Sequence, residues 1–369
     1  EGRYSSLIDK AENIALIVND RNRPTPTYLL MRYLLEEMPD ILEKIKKVFI
    51  ATGTHKEPTE DDLRTILGDS YSELIQKVHI HRAKDSEAHK HYGKTARGTP
   101  LFFDREMEDH DLYVFLNSVE PHYFAGFTGG RKSIIPGMAY YGTVEWNHQF
   151  ALDAGSKPLG LEGNPVHEDM VEAAEIYLED KEHISIQMVQ GPGRILTGVH
   201  VGDIFGSFNE AVENARKQFC LPVNKLYDIV VTVAKPPMDR TLYQAQKAIE
   251  NGKLALKDGG VLVLLAECGE GIGASKFWEL LTMDPDPNVI LDTIDRGYVL
   301  GYHKAAKIVQ LHKRATIMAV TGIPAGELAK GFIGGFVDLD EALSAAKDIT
   351  GTDASILVIP DGTVTVPLC

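Results

Sequence analysis

Four stretches of the chain carry residue types and spacings suited to chemistry. Asp20-Arg21-Asn22-Arg23-Pro24-Thr25 follows a β-branched run. The proline stiffens the turn and restricts Arg23 to extended backbone, which suits a guanidinium presented to a planar carboxylate. The same residue types also serve at helix boundaries, with Asp and Arg facing solvent. Ala51-Thr52-Gly53-Thr54-His55 ends a second run in a glycine turn and presents an imidazole, the side chain best poised to move protons near neutral pH. A lone histidine after a strand is more often structural.

The richest stretch runs from Glu120 to Gly137, EPHYFAGFTGGRKSIIPG, and is closed by Trp146-Asn147-His148. It holds His122, glycines that let backbone approach a ligand (Gly129 and Gly130 among them), Lys132, and His148 sixteen residues beyond that lysine. Gly126, Lys132 and Ser133 have P-loop spacing, but Arg131 replaces the second glycine and Ile134-Ile135-Pro136-Gly137 is a poor helix start, so the context fails. In Leu242-Tyr243-Gln244-Ala245-Gln246-Lys247, Gln244 and Lys247 share a helix face, which fits either an amide and an ammonium aimed at a ligand or a solvated surface. His79, His81, His89 and His91 lack third and fourth ligands at a zinc spacing and read as satisfied or solvated.

These stretches need strand ends and helix starts to position them. Short β-branched runs alternate with helical patterns, which argues for βαβ units around largely parallel sheets, where ligands bind beyond the strands' carboxyl ends. Strands are expected at Asn13–Val18, Lys47–Ala51, Val78–Arg82 and Asp111–Leu116, with helices at Thr27–Met38 and Thr59–Leu67. Asn117–Pro136 has too much glycine and proline for a regular element and reads as a loop that something must hold. A second alternation follows a helix at Asn209–Phe219: strands Asp228–Val233, Val261–Leu265 and Thr316–Val320, a helix Leu242–Asn251, a helix Asp338–Ile349 and a strand Ser355–Ile359. The fold class is therefore α/β with two αβ domains. Residues 1–208 with 351–369 form the first, 225–337 a smaller second, and helices within 209–224 and 338–350 connect them, with the active site in the interdomain cleft.

The chain has 369 residues, 44% hydrophobic and 25% charged, enough for two cores. A formal charge of −15 argues against nucleic acid. No apolar run approaches the ~20 residues of a membrane helix, and no signal-peptide pattern precedes the first strand. Cys220, Cys268 and Cys369 have no CxxC spacing and fit a reducing compartment, so the expectation is a cytoplasmic protein that binds neither nucleic acid nor membrane.

In order and spacing, Pro121 to His148, with Asp20 to Thr25, His55 and Tyr243 to Lys247, closely resembles the lactate racemase family that uses a nickel-pincer nucleotide. The resemblance spans nearly the whole chain. It implies a cofactor, pyridinium-3-thioamide-5-thiocarboxylic acid mononucleotide carrying nickel, bound in the first domain and tied covalently to Lys132. His148 then completes the nickel's coordination, and Asp20, Gly129, Gly130 and Tyr243 contribute to cofactor binding. It further implies that His55 and His122 are the two bases that exchange the substrate's hydroxyl proton, one for each enantiomer, while hydride moves between the substrate carbon and the cofactor. Arg23, Gln244 and Lys247 match positions that bind the substrate's carboxylate and oxygens. Cofactor-synthesis and nickel-insertion proteins are the implied partners.

The implied activity is that of an isomerase, a racemase or epimerase of a small 2-hydroxy acid. The chain departs from the family pattern at Gly301-Tyr302-His303-Lys304, where known members carry a substrate-packing tryptophan. His303 or Tyr302 would then line the pocket, with His303 a further substrate-binding candidate. Together with Arg131 as an added cation, this makes a malate-like or sugar acid an alternative to lactate. A nicotinamide-dependent 2-hydroxy acid dehydrogenase would need a GxGxxG between a strand and a helix, which is absent. A non-catalytic nickel-nucleotide-binding protein would be marked by loss of a base, and both histidines are present.

Overall fold

The computed structural model describes residues 2–23 and 25–369, so Pro24, expected to stiffen the first turn, lies outside the described residues. The chain forms two compact units: Glu1–Glu120, Ala125–Phe150 and Gly160–Gln218 make the first, and Pro121–Phe124, Ala151–Leu159 and Phe219–Cys369 the second.

The first unit is built on a six-stranded sheet in the order Leu196–Gly202, His183–Gln190, Leu112–Ser118, Ile14–Asn19, Ile45–Ala51, Val78–Ile80. All neighbours are parallel except the first pair. Ile14–Asn19 is apolar along nearly its whole length because a central parallel strand is covered on both faces. Ile14, Leu16 and Val18 pack with Val48, Ile50, Val114 and Leu116 beneath Met31, Leu63 and Leu67 of the helices above. Helix Glu60–Leu67 starts where its sequence says it should: Thr59 accepts from the Asp62 N–H and Asp62 reaches back, a reciprocal cap. The segment after His81, for which no regular element was expected, forms an antiparallel pair, His89–Lys94 with Pro100–Asp104.

In the second unit five strands, all parallel, run Gly334–Phe336, Thr316–Val320, Leu256–Leu265, Tyr227–Val233, Ile356–Ile359. Residues 351–369 do not return to the first unit: Ile356–Ile359 pairs with Tyr227–Val233, and Val366–Leu368 pairs with Cys220–Pro222. Nor is the helix Leu339–Thr350 a linker, because Ala342 and Ala346 bury themselves against Ile229, Val231, Val263 and Met318 of the sheet. It is the crossover that carries the chain from one edge of the sheet to the other. The helix Gly206–Phe219, likewise expected to connect, packs on the first unit, with the Arg216 guanidinium 5.0 Å from the Phe127 ring.

Candidate active site

Strands Ile14–Asn19 and Ile45–Ala51 are parallel neighbours in register at Asn19 and Ala51, so their carboxyl ends open side by side. Asp20 leaves one and the Thr52-Gly53 turn leaves the other. Gly53 takes φ +55°, and a Cβ there would lie 3.3 Å from the Pro136 carbonyl, a turn only glycine makes without strain. The turn brings His55 Nδ1 to 2.7 Å from Asp20 Oδ2. Asp20 is 3% exposed and also accepts from the Asn22 amide at 2.7 Å. Burial on its own would raise its pKa. Attraction to His55, their hydrogen bond and the charge of Arg23 outweigh that and hold the carboxyl below its ordinary value. Asp20 therefore stays an acceptor, the His55 hydrogen sits on Nδ1, and Nε2 is left as the basic nitrogen. Asp20, expected at the cofactor, is here hydrogen-bonded to His55.

The loop before Lys132 is held by its own polar groups. Arg131, 1% exposed, donates to the carbonyls of Ala125 (2.8 Å), Phe127 (3.0 Å) and Gly129 (3.3 Å) and lies 4.4 Å from the Phe208 ring centre. Burial pushes its pKa down to about 9. It is a strut for the loop and not the extra substrate cation that its sequence position suggested. Gly129 has φ +80°, and a Cβ would meet Val119 at 2.6 Å; Gly130 has φ +52°, and its N–H donates to Gln187 Oε1 at 3.1 Å. Both glycines serve close packing. The Ser133 hydroxyl closes on Asn117 Oδ1, which also accepts from Asn19 Nδ2 at 3.4 Å, tying the loop to the ends of two strands. Lys132, 8% exposed, is fixed in this frame.

His148 lies in helix Tyr141–Gln149, 9% exposed. Burial first, then repulsion from Lys132 and His55, push its pKa down to about 3. The ring is thus neutral at ordinary pH, the form that ligates metals. Among the described residues no three His, Cys, Asp or Glu side chains could together hold a metal ion. The neutral His148 ring can donate to a metal, and the buried Lys132 lies in the same unit.

In the second unit His122 is 6% exposed, its ring stacked on Tyr123 at 5.1 Å and 25° and met edge-on by Phe124 at 4.6 Å. Thr241 caps helix Leu242–Gly252, accepting from the Gln244 N–H, and this places half-buried Gln244 and Lys247 on one face. Lys247 Nζ lies 3.1 Å from Met238 Sδ. The Tyr243 carbonyl accepts from Lys304, whose ammonium is 4.0 Å from the Tyr243 ring centre. His303 is not a pocket-lining donor with a free ring nitrogen: it is 1% exposed, with Nδ1 2.6 Å from the Tyr298 hydroxyl and Nε2 3.1 Å from that of Tyr123. Tyr123, Tyr298 and Lys304 were not anticipated as site residues. Only the position of Tyr123 beside His122 hinted at its part.

Residues 1–158 match the lactate racemase N-terminal domain model and residues 223–366 the lactate racemase C-terminal domain model. The chain is 31% identical over 379 residues to the lactate racemase of Thermoanaerobacterium thermosaccharolyticum, covering 98% of this chain and 85% of that protein. It is 26% identical over 376 residues to the lactate racemase of Lactiplantibacillus plantarum, covering 98% and 86%. Its fold is similar to that of the Thermoanaerobacterium thermosaccharolyticum lactate racemase apoprotein, with a TM-score of 0.88 at 27% identity, covering 99% of this chain and 88% of that one. A Thermotoga maritima protein of 17% identity shares the fold at a TM-score of 0.77, covering 99% and 97%. The chain therefore belongs to the lactate racemase family, and with it to the isomerases.

Proposed function

We propose that this protein racemises a small 2-hydroxy acid, with lactate the first candidate; the two features that favoured a malate-like or sugar acid, Arg131 and His303, are both engaged inside the protein. The observation that supports this reading most is the Asp20–His55 pair at 2.7 Å in the same unit as a buried Lys132 and a His148 kept neutral. When bound, a nickel-pincer nucleotide supplies an acceptor for the hydrogen on the substrate carbon. The chain's own residues do the rest. Lys132 is the attachment point and His148 the protein donor to nickel. Arg23, Gln244 and Lys247 hold the substrate's carboxylate and oxygens, each charge-assisted contact contributing about 1.5–3 kcal/mol.

His55, its Nδ1–H held by Asp20, takes the hydroxyl proton of one enantiomer through Nε2 and returns it in the reverse direction. His122 does the same for the other enantiomer. Inversion requires both, because a base that serves one configuration cannot deliver a proton to the opposite one. Cofactor-synthesis and nickel-insertion proteins would load the chain, and a cytoplasmic location fits its three free cysteines.

Chiral chromatography of the loaded enzyme with D-lactate deuterated at the carbon bearing the hydroxyl, followed by a panel of 2-hydroxy acids, tests the reading. L-lactate that keeps its deuterium in ordinary water is expected. Inversion with complete washout would replace the proposed chemistry by proton abstraction from carbon, and no inversion of any acid would remove the function. Asp20→Asn should cost about 10²-fold or more in kcat by freeing the His55 ring and disfavouring its working tautomer.

A further inference from the structure

His303 sits at the start of helix Tyr302–His312 with each ring nitrogen on a tyrosine hydroxyl. A neutral imidazole has one donor and one acceptor nitrogen, so it accepts from one hydroxyl and donates to the other, and the chain of three groups is directional. One end, Tyr298, is half-buried; the other, Tyr123, is 3% exposed and carries the ring on which His122 stacks. Phe124 completes the frame, edge-on to His122 at 4.6 Å and to His303 at 5.2 Å. The Lys304 ammonium, 5.2 Å from the centre of the Tyr123 ring and hydrogen-bonded to the Tyr243 carbonyl, fixes that ring further. The surface against which His122 lies is thus locked at its hydroxyl by His303 and at its face by a cation. If packing alone mattered, the rings would suffice and the hydroxyls would be dispensable.

We infer that the Tyr298–His303–Tyr123 hydrogen-bonded chain positions the His122 base, and that His303 acts through Tyr123 instead of touching substrate. The inference rests on the role proposed for His122. Misplacing a reacting group by about 1 Å can cost 10²-fold, so partial loss of the chain should show in turnover before binding.

In the loaded full-length enzyme, Tyr298→Phe and Tyr123→Phe should each lower kcat about tenfold with KM changed less than about twofold. His303→Leu should fall further, and His303→Gln, whose amide both donates and accepts, should recover part of the loss. A second readout needs neither cofactor nor activity: ¹⁵N-histidine spectra of the unloaded full-length chain, with the His122 signals identified by their loss in His122→Gln. Tyr298→Phe should move the His122 ring-nitrogen shifts, because Tyr298 reaches His122 by way of His303 and Tyr123. Tyr298→Phe removes one oxygen from a half-buried ring and keeps the test decisive even where His303→Leu fails to fold. Unmoved His122 shifts in folded Tyr298→Phe and Tyr123→Phe would overturn the inference. Moved shifts alongside a wild type that inverts no hydroxy acid would instead leave the positioning of the His122 ring standing and remove the proposed function, and with it the ring's role as a base.

Discussion

At the scale of single residues, this chain keeps its histidines in different states by environment. His55 shares a hydrogen with a carboxylate kept ionised, while His148 and His167 are deprived of charge by burial. His167 is pushed down to about 3 by burial first and by repulsion from Arg131 and Lys132 second, against an ordinary value of 6.5. Its unfolded form takes a proton near pH 6.5, and the folded form resists it until about 3. The unfolded state therefore binds more protons in that window, and stability drops as the pH falls through it. His167→Gln should lessen the drop in urea midpoint between pH 7 and pH 4.5 by the equivalent of about 1 kcal/mol. An identical drop in both proteins would show that His167 titrates normally. The residue types of the site were legible in the sequence, but their pairings were only partly so. The proximity of Asp20 to His55 follows from two parallel strands ending together, whereas the link from His303 to Tyr123 spans 180 residues of chain and depends on tertiary packing.

At the scale of elements, the strands His183–Gln190, Leu196–Gly202 and Gly334–Phe336 and the helix Pro165–Leu178 went unanticipated, but most other strands announced themselves by β-branched runs and some helices by their caps, as Thr59 and Thr241 show. The hairpin at His89–Asp104 did not, because its outer strand is charged and His-rich and lacks the apolar alternation that marks a strand. The segment from Asn117 to Pro136, expected as a loop, instead finishes the strand Leu112–Ser118, pairs Pro121–His122 with Gly126–Phe127 and forms a 3-10 turn at Gly130–Ser133, and its internal frame was not legible either: Arg131, read from sequence as a cation for ligand, spends its guanidinium on three carbonyls of this segment. Gly129→Ala should destabilise the first unit by on the order of 2 kcal/mol, since the new Cβ meets Val119 and the backbone is left-handed. Urea denaturation followed by Trp146 fluorescence reads this. A loss below about 0.5 kcal/mol would mean the loop relaxes around the methyl at little cost.

At the scale of the whole molecule, alternation of strands and helices predicted two αβ units, but not which unit receives the last strand. Edge strands carry half-exposed, weakly patterned sequence, and Ile356–Ile359 could have joined either sheet on pattern alone. Its pairing with Tyr227–Val233 makes residues 351–369 part of the second unit. The chain has two tryptophans, Trp146 in the first unit and Trp278 in the second, so single-tryptophan variants report each separately. Removing residues 351–369 should lower the thermal transition seen by Trp278 by about 5 °C or more. A shift confined to Trp146 would contradict the assignment of this segment.

The proposed function depends most on Lys132 anchoring a nickel-carrying nucleotide to which the protein adds His148. Intact-protein mass spectrometry with nickel quantification, on chain co-produced with the cofactor-synthesis and nickel-insertion proteins, tests it most directly. The expected result is a covalent adduct that is absent from Lys132→Ala, with about one nickel per chain that is lost from His148→Ala while the adduct remains. An unmodified, metal-free wild type, or an adduct that survives in Lys132→Ala, would contradict it.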